Sequence, residues 1–374
     1  MNTEDGDFSP IWAIGFMSGT SVDAVDAAII RTDGVTVSEF GPVSERKFTA
    51  NERAAIMKAV DAARAWAWNG DPPLSDFEPA LAALNAAHKD AYDLAVAQCA
   101  SYQKPEIAGV HGQTVLHRPP AGDKVGATLQ ILNAPELRDR LGVSLAYDFR
   151  SDDVAAGGQG APLAPVYHQA LARDFEPPVA VLNLGGVANL TYIDGDDIFG
   201  FDCGPANGPV DEWVVQHGFG TYDQDGSAAR AGQVDEARLA DWMSHPFFRQ
   251  GYPKSLDRYD FNAGLAEGLG FQDGAATLTA FCAAGVASGI SLFPKPIRKL
   301  IVCGGGRLNP VLMRELRTRC PMDVVTAEDE GWRGDSIEAE AFALLAVRHL
   351  RGLPLSFTGT TGVPEPMSGG KLIS

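Results

Sequence analysis

Residues 12–30 read WAIGFMSGTSVDAVDAAII. Two apolar runs flank Ser18-Gly19-Thr20-Ser21-Val22-Asp23, a turn rich in hydroxyls with one glycine and one carboxylate. A tight hairpin needs only two turn residues, so the surplus asks for a role beyond reversing the chain. Around it, residues 13–16 and 24–31 read as strands, and after a Thr32-Asp33-Gly34 turn a third extended run begins at Val35, giving a three-stranded meander.

The same order recurs about 170 residues downstream. In VAVLNLGGVANLTYIDGDDIFGFDCGPAN (179–207), strand 179–184 leads into a Gly-Gly-x-x-Asn turn, strand 190–193, an Asp-Gly turn and strand 198–201. The repetition is one of pattern, not of residue identity, and predicts two similar α/β halves. A chain of 374 residues exceeds the usual single-core size of ~250–300, so two domains with a cleft between them are expected. Between the meanders, 52–68 and 78–103 read as helices, the second with Leu81, Leu84, Ala87, Ala91, Leu94 and Val96 near helical spacing. IAGVHGQTV reads as a short strand entering a polar turn, and 336–351 as a helix with Ile337, Ala341, Leu344, Leu345 and Val347 near one face.

Composition narrows the class. A formal charge of -18 leaves no basic surplus to displace phosphate counterions, which disfavours nucleic acid and anionic membranes as partners. Five widely spaced cysteines without C-x-x-C point to neither a disulfide framework nor a zinc site, and fit the cytoplasm. The N-terminus MNTEDGDFSP lacks a signal-peptide pattern, and no apolar run approaching the ~18 residues of a bilayer span is evident, so a soluble protein is expected.

Three loops carry phosphate-binding chemistry. Gly19, Gly185-Gly186 and Gly304-Gly305-Gly306 allow backbone N–H groups close to phosphate oxygens, and Thr20 and Ser21 add hydroxyl donors. None is a Walker sequence, and CGGGRLN is not the G-x-G-x-x-G dinucleotide fingerprint. Asp202 in FGFDCGPAN reads as a strand-end carboxylate before a Gly-Pro turn, either aimed at a ligand or closing an Asx turn. Asp148 and Asp153 bracket DFRSDDVAAGGQGAPL in a similar way, ahead of a helix entered at Pro162. Arg150 there either binds an anionic group or pairs with Asp148. His111 and His117 have no metal-site spacing. Lys254, Arg258 and Asn262 are either an anion-site lining or solvated surface, and Glu338 sits where a helix dipole favours a carboxylate.

Taken together, IGFMSGTSVDAVD, HGQTVLHRP, LAYDFRSDDVAAGGQGAPLAPVYHQAL, AVLNLGGVANLTYI, GFDCGPAN, IVCGGGRLNPVLMREL and IEAEAFALLAVRHL resemble, in order, the anhydro-N-acetylmuramic acid kinase family. This family lies within the sugar kinase, actin and seventy-kilodalton chaperone superfamily. The resemblance implies two actin-like (ribonuclease H-like) α/β domains flanking an ATP-binding cleft, 1–160 with 335–374 and 161–334. It implies hydrolytic opening of a 1,6-anhydro bridge with phosphorylation of O6 to N-acetylmuramate 6-phosphate, using ATP and Mg²⁺, by a homodimer in peptidoglycan recycling.

Carried over, the ATP-binding turn falls on Gly19, Thr20, Ser21, Val22, Asp23, Ala24, Val25 and Asp26, joined by Gly185, Gly186, Gly304, Gly305 and Gly306. The general base falls on Asp202, expected with an ordinary carboxylate pKa, and Arg150, Gln159 and Glu338 fall to the sugar. Asp23 and Asp26 either order Mg²⁺-bound water or brace the loop; direct metal ligands are not assigned. The chain departs from the family pattern at Ala24 and Ala206, where glycines stand, and at Ser151 and Asp152, where arginines stand. A related kinase for a neutral anhydro-sugar and a non-catalytic nucleotide-dependent sensor are the alternative functions.

Overall fold

The structure, a computed structural model, describes residues 8–120, 124–256 and 260–374. The chain forms two compact units, Met1–Leu171 with Ser336–Ser374, and Ala172–Asp335. The first unit opens with strands β1 (Ile11–Met17), β2 (Ala24–Thr32) and β3 (Val37–Lys47) and helices α1 (Ala50–Trp66) and α2 (Leu74–Val96). Strands β4 (Ile107–Val110), β5 (Gln113–Arg118) and β6 (Ala127–Ile131), helix α3 (Ala134–Leu141), strand β7 (Ser144–Tyr147) and short helices α4 (Ser151–Ala155) and α5 (Pro165–Leu171) follow.

The second unit contains β8 (Val179–Leu184), β9 (Val187–Asp194), β10 (Asp197–Pro205), α6 (Asn207–Gln216), α7 (Ser227–Ala231), α8 (Glu236–Trp242) and α9 (Phe271–Ile290). It ends with β11 (Lys299–Cys303), α10 (Pro310–Arg319) and β12 (Asp323–Thr326), after which α11 (Ile337–Leu350) and β13 (Lys371–Ile373) return to the first unit.

Both units build one kind of sheet. In the first the order is β13-β7-β4-β1-β2-β3, with β2 antiparallel to both neighbours and β4 and β7 parallel to β1. In the second it is β10-β9-β8-β11-β12, with β9 antiparallel to both neighbours and β11 and β12 parallel to β8. Counted along either unit, the five shared strands lie in the order three-two-one-four-five, the ribonuclease H-like arrangement. Parallel neighbours require crossovers, which supply the covering helices. The central strands therefore read as continuous apolar runs rather than alternating ones: Trp12, Ala13, Ile14 and Phe16 of β1, and Val179 to Leu182 of β8, are all buried.

Details differ from the sequence reading. The turn after β8 is only Gly185-Gly186, because β9 already pairs from Ala188 opposite Leu184. The polar turn after β4 is shorter too, since Gln113 starts a strand paired with β6. The helix beyond the glycine-rich stretch begins at Pro165, not Pro162, and lies with the first unit, past the boundary at 160 read from the sequence. There the Tyr167 hydroxyl donates to the fully buried Glu340 of α11 over 2.5 Å.

Two glycines let α11 rest on the first sheet. Gly15 and Gly109 are register partners in β1 and β4. A Cβ on Gly15 would lie 1.9 Å from the Ala339 carbonyl oxygen, and one on Gly109 2.0 Å from that of Phe342. Helix and sheet thus meet backbone to backbone, which fixes the first turn of α11. By length and composition α9 is apolar enough to cross a membrane, contrary to the sequence reading, but 72% of its apolar window is buried inside the second unit. Phe281, Cys282, Ala283 and Val286 make it a core helix.

Candidate active site

In both sheets the candidate groups leave the C-terminal ends of parallel strands, where open α/β sheets bind ligands. β1 leads into residues 18–23, β4 into His111-Gly112 and β7 into Asp148–Arg150; β8 leads into Gly185-Gly186 and β11 into Gly304–Gly306. Asp202 pairs with Asn189, which pairs with Asn183, so it lies at the same end of the second sheet.

The β1–β2 turn is closed by the Val22 N–H to the Gly19 carbonyl at 3.1 Å. Val22 has φ 55° and is fully buried. A β-branched residue in the left-handed region costs of order 1–3 kcal/mol. Its packing with Ile56, Ala59, Ala63 and Phe77 holds it there, which leaves Thr20, Ser21 and Asp23 exposed. Behind the turn, Ser18 Oγ donates to the Gly112 carbonyl and Gln113 Nε2 to that of Gly19. Ala24, Val25 and Asp26, assigned to one ATP-binding turn, belong instead to β2, and Val25 is buried in the core. Ala24 is a strand residue without positive φ and Ala206 has φ -122°, so neither has the left-handed backbone that favours glycine.

Arg150 does not pair with Asp148. Its Nε donates to His111 Nε2 at 3.0 Å and its Nη1 to the Gly160 carbonyl at 2.5 Å. Burial lowers its pKa to about 10, with the charges of Glu338 and Asp153 opposing. His111 is buried, and desolvation together with the Arg150 charge pushes its pKa well down. Since Nε2 accepts from a guanidinium, the ring is neutral with its proton on Nδ1.

Glu338, in the first turn of α11, keeps exposed surface yet is crowded enough that desolvation raises its pKa against the pull of Arg150. Asp153 is a loop brace: buried, it accepts from the Gly160 N–H at 2.6 Å. Gln159 is tied by its N–H to the Thr361 carbonyl at 2.6 Å. Asp148, at φ 56°, accepts from Ser151 Oγ at 2.5 Å and pairs with Lys371 at 2.7 Å.

In the second unit the glycines divide by use. A Cβ on Gly304 would lie 2.3 Å from Asn183 Oδ1, and one on Gly306 2.6 Å from Leu184 Cβ, so both serve close packing of β11's exit on β8's. At Gly186 and Gly305 a Cβ would meet nothing within 4 Å, which leaves their backbone open to a ligand. The Gly185 and Gly186 carbonyls accept from the Asn207 and Ala206 N–H groups, coupling this turn to the start of α6. Arg307, nearly buried, donates to the Gly304 carbonyl at 3.0 Å and pairs with Glu328 and Asp335, each at 2.7 Å.

Asp202 lies within β10, not at its end. The strand continues to Pro205 past an irregular register between Asp202 and Gly204. Its Oδ2 accepts from the Leu256 N–H at 2.8 Å, and its own N–H donates to the Lys254 carbonyl at 3.1 Å. Burial raises its pKa to about 6, the Leu256 bond and the Lys254 charge acting the other way. The expectation of an ordinary carboxylate is therefore corrected, because desolvation outweighs both stabilising contacts.

Lys254 is buried, with its ammonium 3.2 Å from the Phe247 carbonyl and 4.4 Å from the centre of that ring. It is a packed cation beside Asp202, not solvated surface. Arg258 lies outside the described residues, and Asn262 Oδ1 accepts from the Gly264 N–H. His117 Nδ1 meets Thr128 Oγ1. No group of three or more His, Cys, Asp or Glu suited to a metal occurs among the described residues.

His111, Arg307 and Lys371 had no assigned role in the sequence reading. Each gains one through a partner remote in sequence, which no local motif signals.

Residues 11–374 match the family model for anhydro-N-acetylmuramic acid kinase. The protein named anhydro-N-acetylmuramic acid kinase from Rhizobium rhizogenes is 48% identical over 368 residues, 97% of this chain and 99% of its own length. That of Caulobacter vibrioides is 49% identical over 364 residues, covering 96% and 98%. Among solved structures, a ROK family glucokinase from Streptomyces griseus in complex with glucose and AMPPNP aligns with TM-score 0.40 and 14% identity, over 90% of this chain and 99% of that one.

Proposed function

This chain belongs to the anhydro-N-acetylmuramic acid kinase family, and on that premise we propose that it couples hydrolysis of 1,6-anhydro-N-acetylmuramate to phosphorylation of its O6 by ATP, a step of peptidoglycan recycling. The observation that carries the reading is a family match over residues 11–374, with 48–49% identity to proteins of that name over nearly their whole length.

Water is a poor nucleophile, so a base must take its proton as it attacks C1. Asp202 serves here: with a pKa near 6 it is mostly ionised at neutral pH, yet basic enough to accept. Water oxygen bonds to C1, the C1–O6 bond breaks, and O6 attacks the γ-phosphorus as the bond to ADP breaks. The products are N-acetylmuramate 6-phosphate, ADP and one proton. Phosphoryl transfer depends chiefly on positioning and charge neutralisation.

Thr20, Ser21, Gly186 and Gly305 are the proposed phosphate contacts, because their donors or backbones are open. Arg150 and Glu338 are the proposed sugar contacts, with Gln159 on the adjoining loop. Mg²⁺ would neutralise phosphate charge; it commonly needs only one or two carboxylates besides phosphate and water, and exposed Asp23 fits that donor set. A homodimer and a cytoplasmic location belong to the same proposal, on the family resemblance and on the cysteine and charge pattern.

The test is an incubation of purified protein with the anhydro-sugar, ATP and Mg²⁺ in H₂¹⁸O. Mass spectrometry should find N-acetylmuramate 6-phosphate carrying the label at C1. Well-folded protein that yields no phosphorylated sugar refutes the reading. ATP binding without sugar-dependent turnover would favour a sensor.

A further inference from the structure

The proposed substrate carries a lactyl carboxylate, which calls for a cation, and Arg150 spends two of its five N–H donors inside the protein. Its Nε is used by His111, its Nη1 by the Gly160 carbonyl, and Glu338 and Asp153 both act on its charge. The first unit offers a second cation on a cavity lined by His111, the partner of Arg150. That cavity, of about 210 Å³, is lined by His111, Gln130, Tyr147, Asp148, Ser151 and Lys371 among others. That is ample for a three-carbon acid.

Lys371 reaches the cavity from β13, where it is the register partner of Tyr147. Its ammonium lies 2.7 Å from Asp148 Oδ2, while 59% of its side chain stays open to solvent. An ammonium has three donors, and this contact takes one. The backbone fixes its place: the Gly370 N–H donates to Asp152 Oδ2 at 3.0 Å, and Gly370 has φ +93° against Phe149 and the Tyr147 carbonyl. Asp152 thus adds a negative charge to its own stretch, yet it is the anchor that brings a positive one in from the C-terminal strand. Asp148 is meanwhile satisfied by Ser151 and Lys371 and is not left as a bare repelling charge.

We propose that Lys371 determines specificity at the sugar site by receiving the carboxylate of the acidic ether substituent. Asp148 and the Asp152–Gly370 bond hold the ammonium over the cavity, whose hydroxyl and amide side chains flank it. This rests on the kinase reading above.

The experiment compares kcat/KM for 1,6-anhydro-N-acetylmuramate with that for 1,6-anhydro-N-acetylglucosamine, the same ring without the lactyl group. The unmutated protein should prefer the acidic sugar. Lys371→Met should lower the preference ratio at least about tenfold through KM, as loss of a charge-assisted contact does, and Lys371→Arg should keep it. An unchanged ratio in Lys371→Met, with the unmutated protein turning over the acidic sugar, overturns this assignment and leaves the kinase reading standing. Turnover of neither sugar by the unmutated protein overturns both.

Discussion

Arg150 Nε donates to Nε2 of His111 over 3.0 Å, joining two loops that leave adjacent strands of the first sheet. The pairing holds a neutral imidazole against a guanidinium and leaves the cation rigidly aimed. Lysine is a point charge without the planar fork that reaches His111 and the Gly160 carbonyl in fixed directions. Arg150→Lys should therefore raise KM for the sugar by roughly tenfold or more, with KM for ATP little changed in steady-state assays.

Gly15→Ala should be costly although the residue is small and apolar. Its Cβ would fall 1.9 Å from the Ala339 carbonyl oxygen, so α11 must move, at about 1–3 kcal/mol or more. Calorimetry should show Tm lowered by several degrees, roughly 2–4 °C per kcal/mol for a unit of this size. Since α11 carries Glu338, sugar KM should rise as well.

The glycine turns of the second unit should separate stability from ATP use. Gly186→Ala meets open space at ordinary φ, so Tm should stay nearly unchanged while KM for ATP rises. Arg307→Lys instead loses the fork that joins the Gly304 carbonyl to Glu328 and Asp335. It should cost about 1–3 kcal/mol in denaturant unfolding and raise KM for ATP.

Asp202 links activity to stability through pH. Its pKa is raised from 3.8 to about 6 by burial, so kcat/KM should fall by half near pH 6 and drop tenfold per unit below it. In the folded state the ionised carboxylate is disfavoured, which costs stability in full above pH 6; the cost fades as pH falls and is gone near pH 4. Asp202→Asn should accordingly stabilise the protein by roughly 1–3 kcal/mol at pH 7. The gain should vanish in unfolding measurements toward pH 4.

The two meanders were legible because β1 and β8 are continuous apolar runs and the turn residues between the meander strands are local signals; the parallel strands that complete each sheet were implied only by the family resemblance. Helix positions were legible to within several residues: 52–68 was read where α1 spans Ala50–Trp66, and 78–103 where α2 spans Leu74–Val96. What local sequence does not carry is desolvation and distant partnership. Nothing in FDCGP reveals that Asp202 titrates near 6, and nothing in GGKL reveals that Lys371 meets Asp148 from the far end of the chain. Val22 was legible as a turn residue, but not as the buried pivot that leaves its hydroxyl-bearing neighbours exposed.

The proposed reaction depends chiefly on Asp202 as the base for water. The most direct measurement is single-turnover phosphorylation of 1,6-anhydro-N-acetylmuramate by Asp202→Asn, run beside calorimetric binding of a non-hydrolysable ATP analogue. Loss of turnover by at least about a thousandfold, with nucleotide affinity kept, is the predicted result. Retention of most of the turnover in a variant that binds nucleotide normally would contradict it.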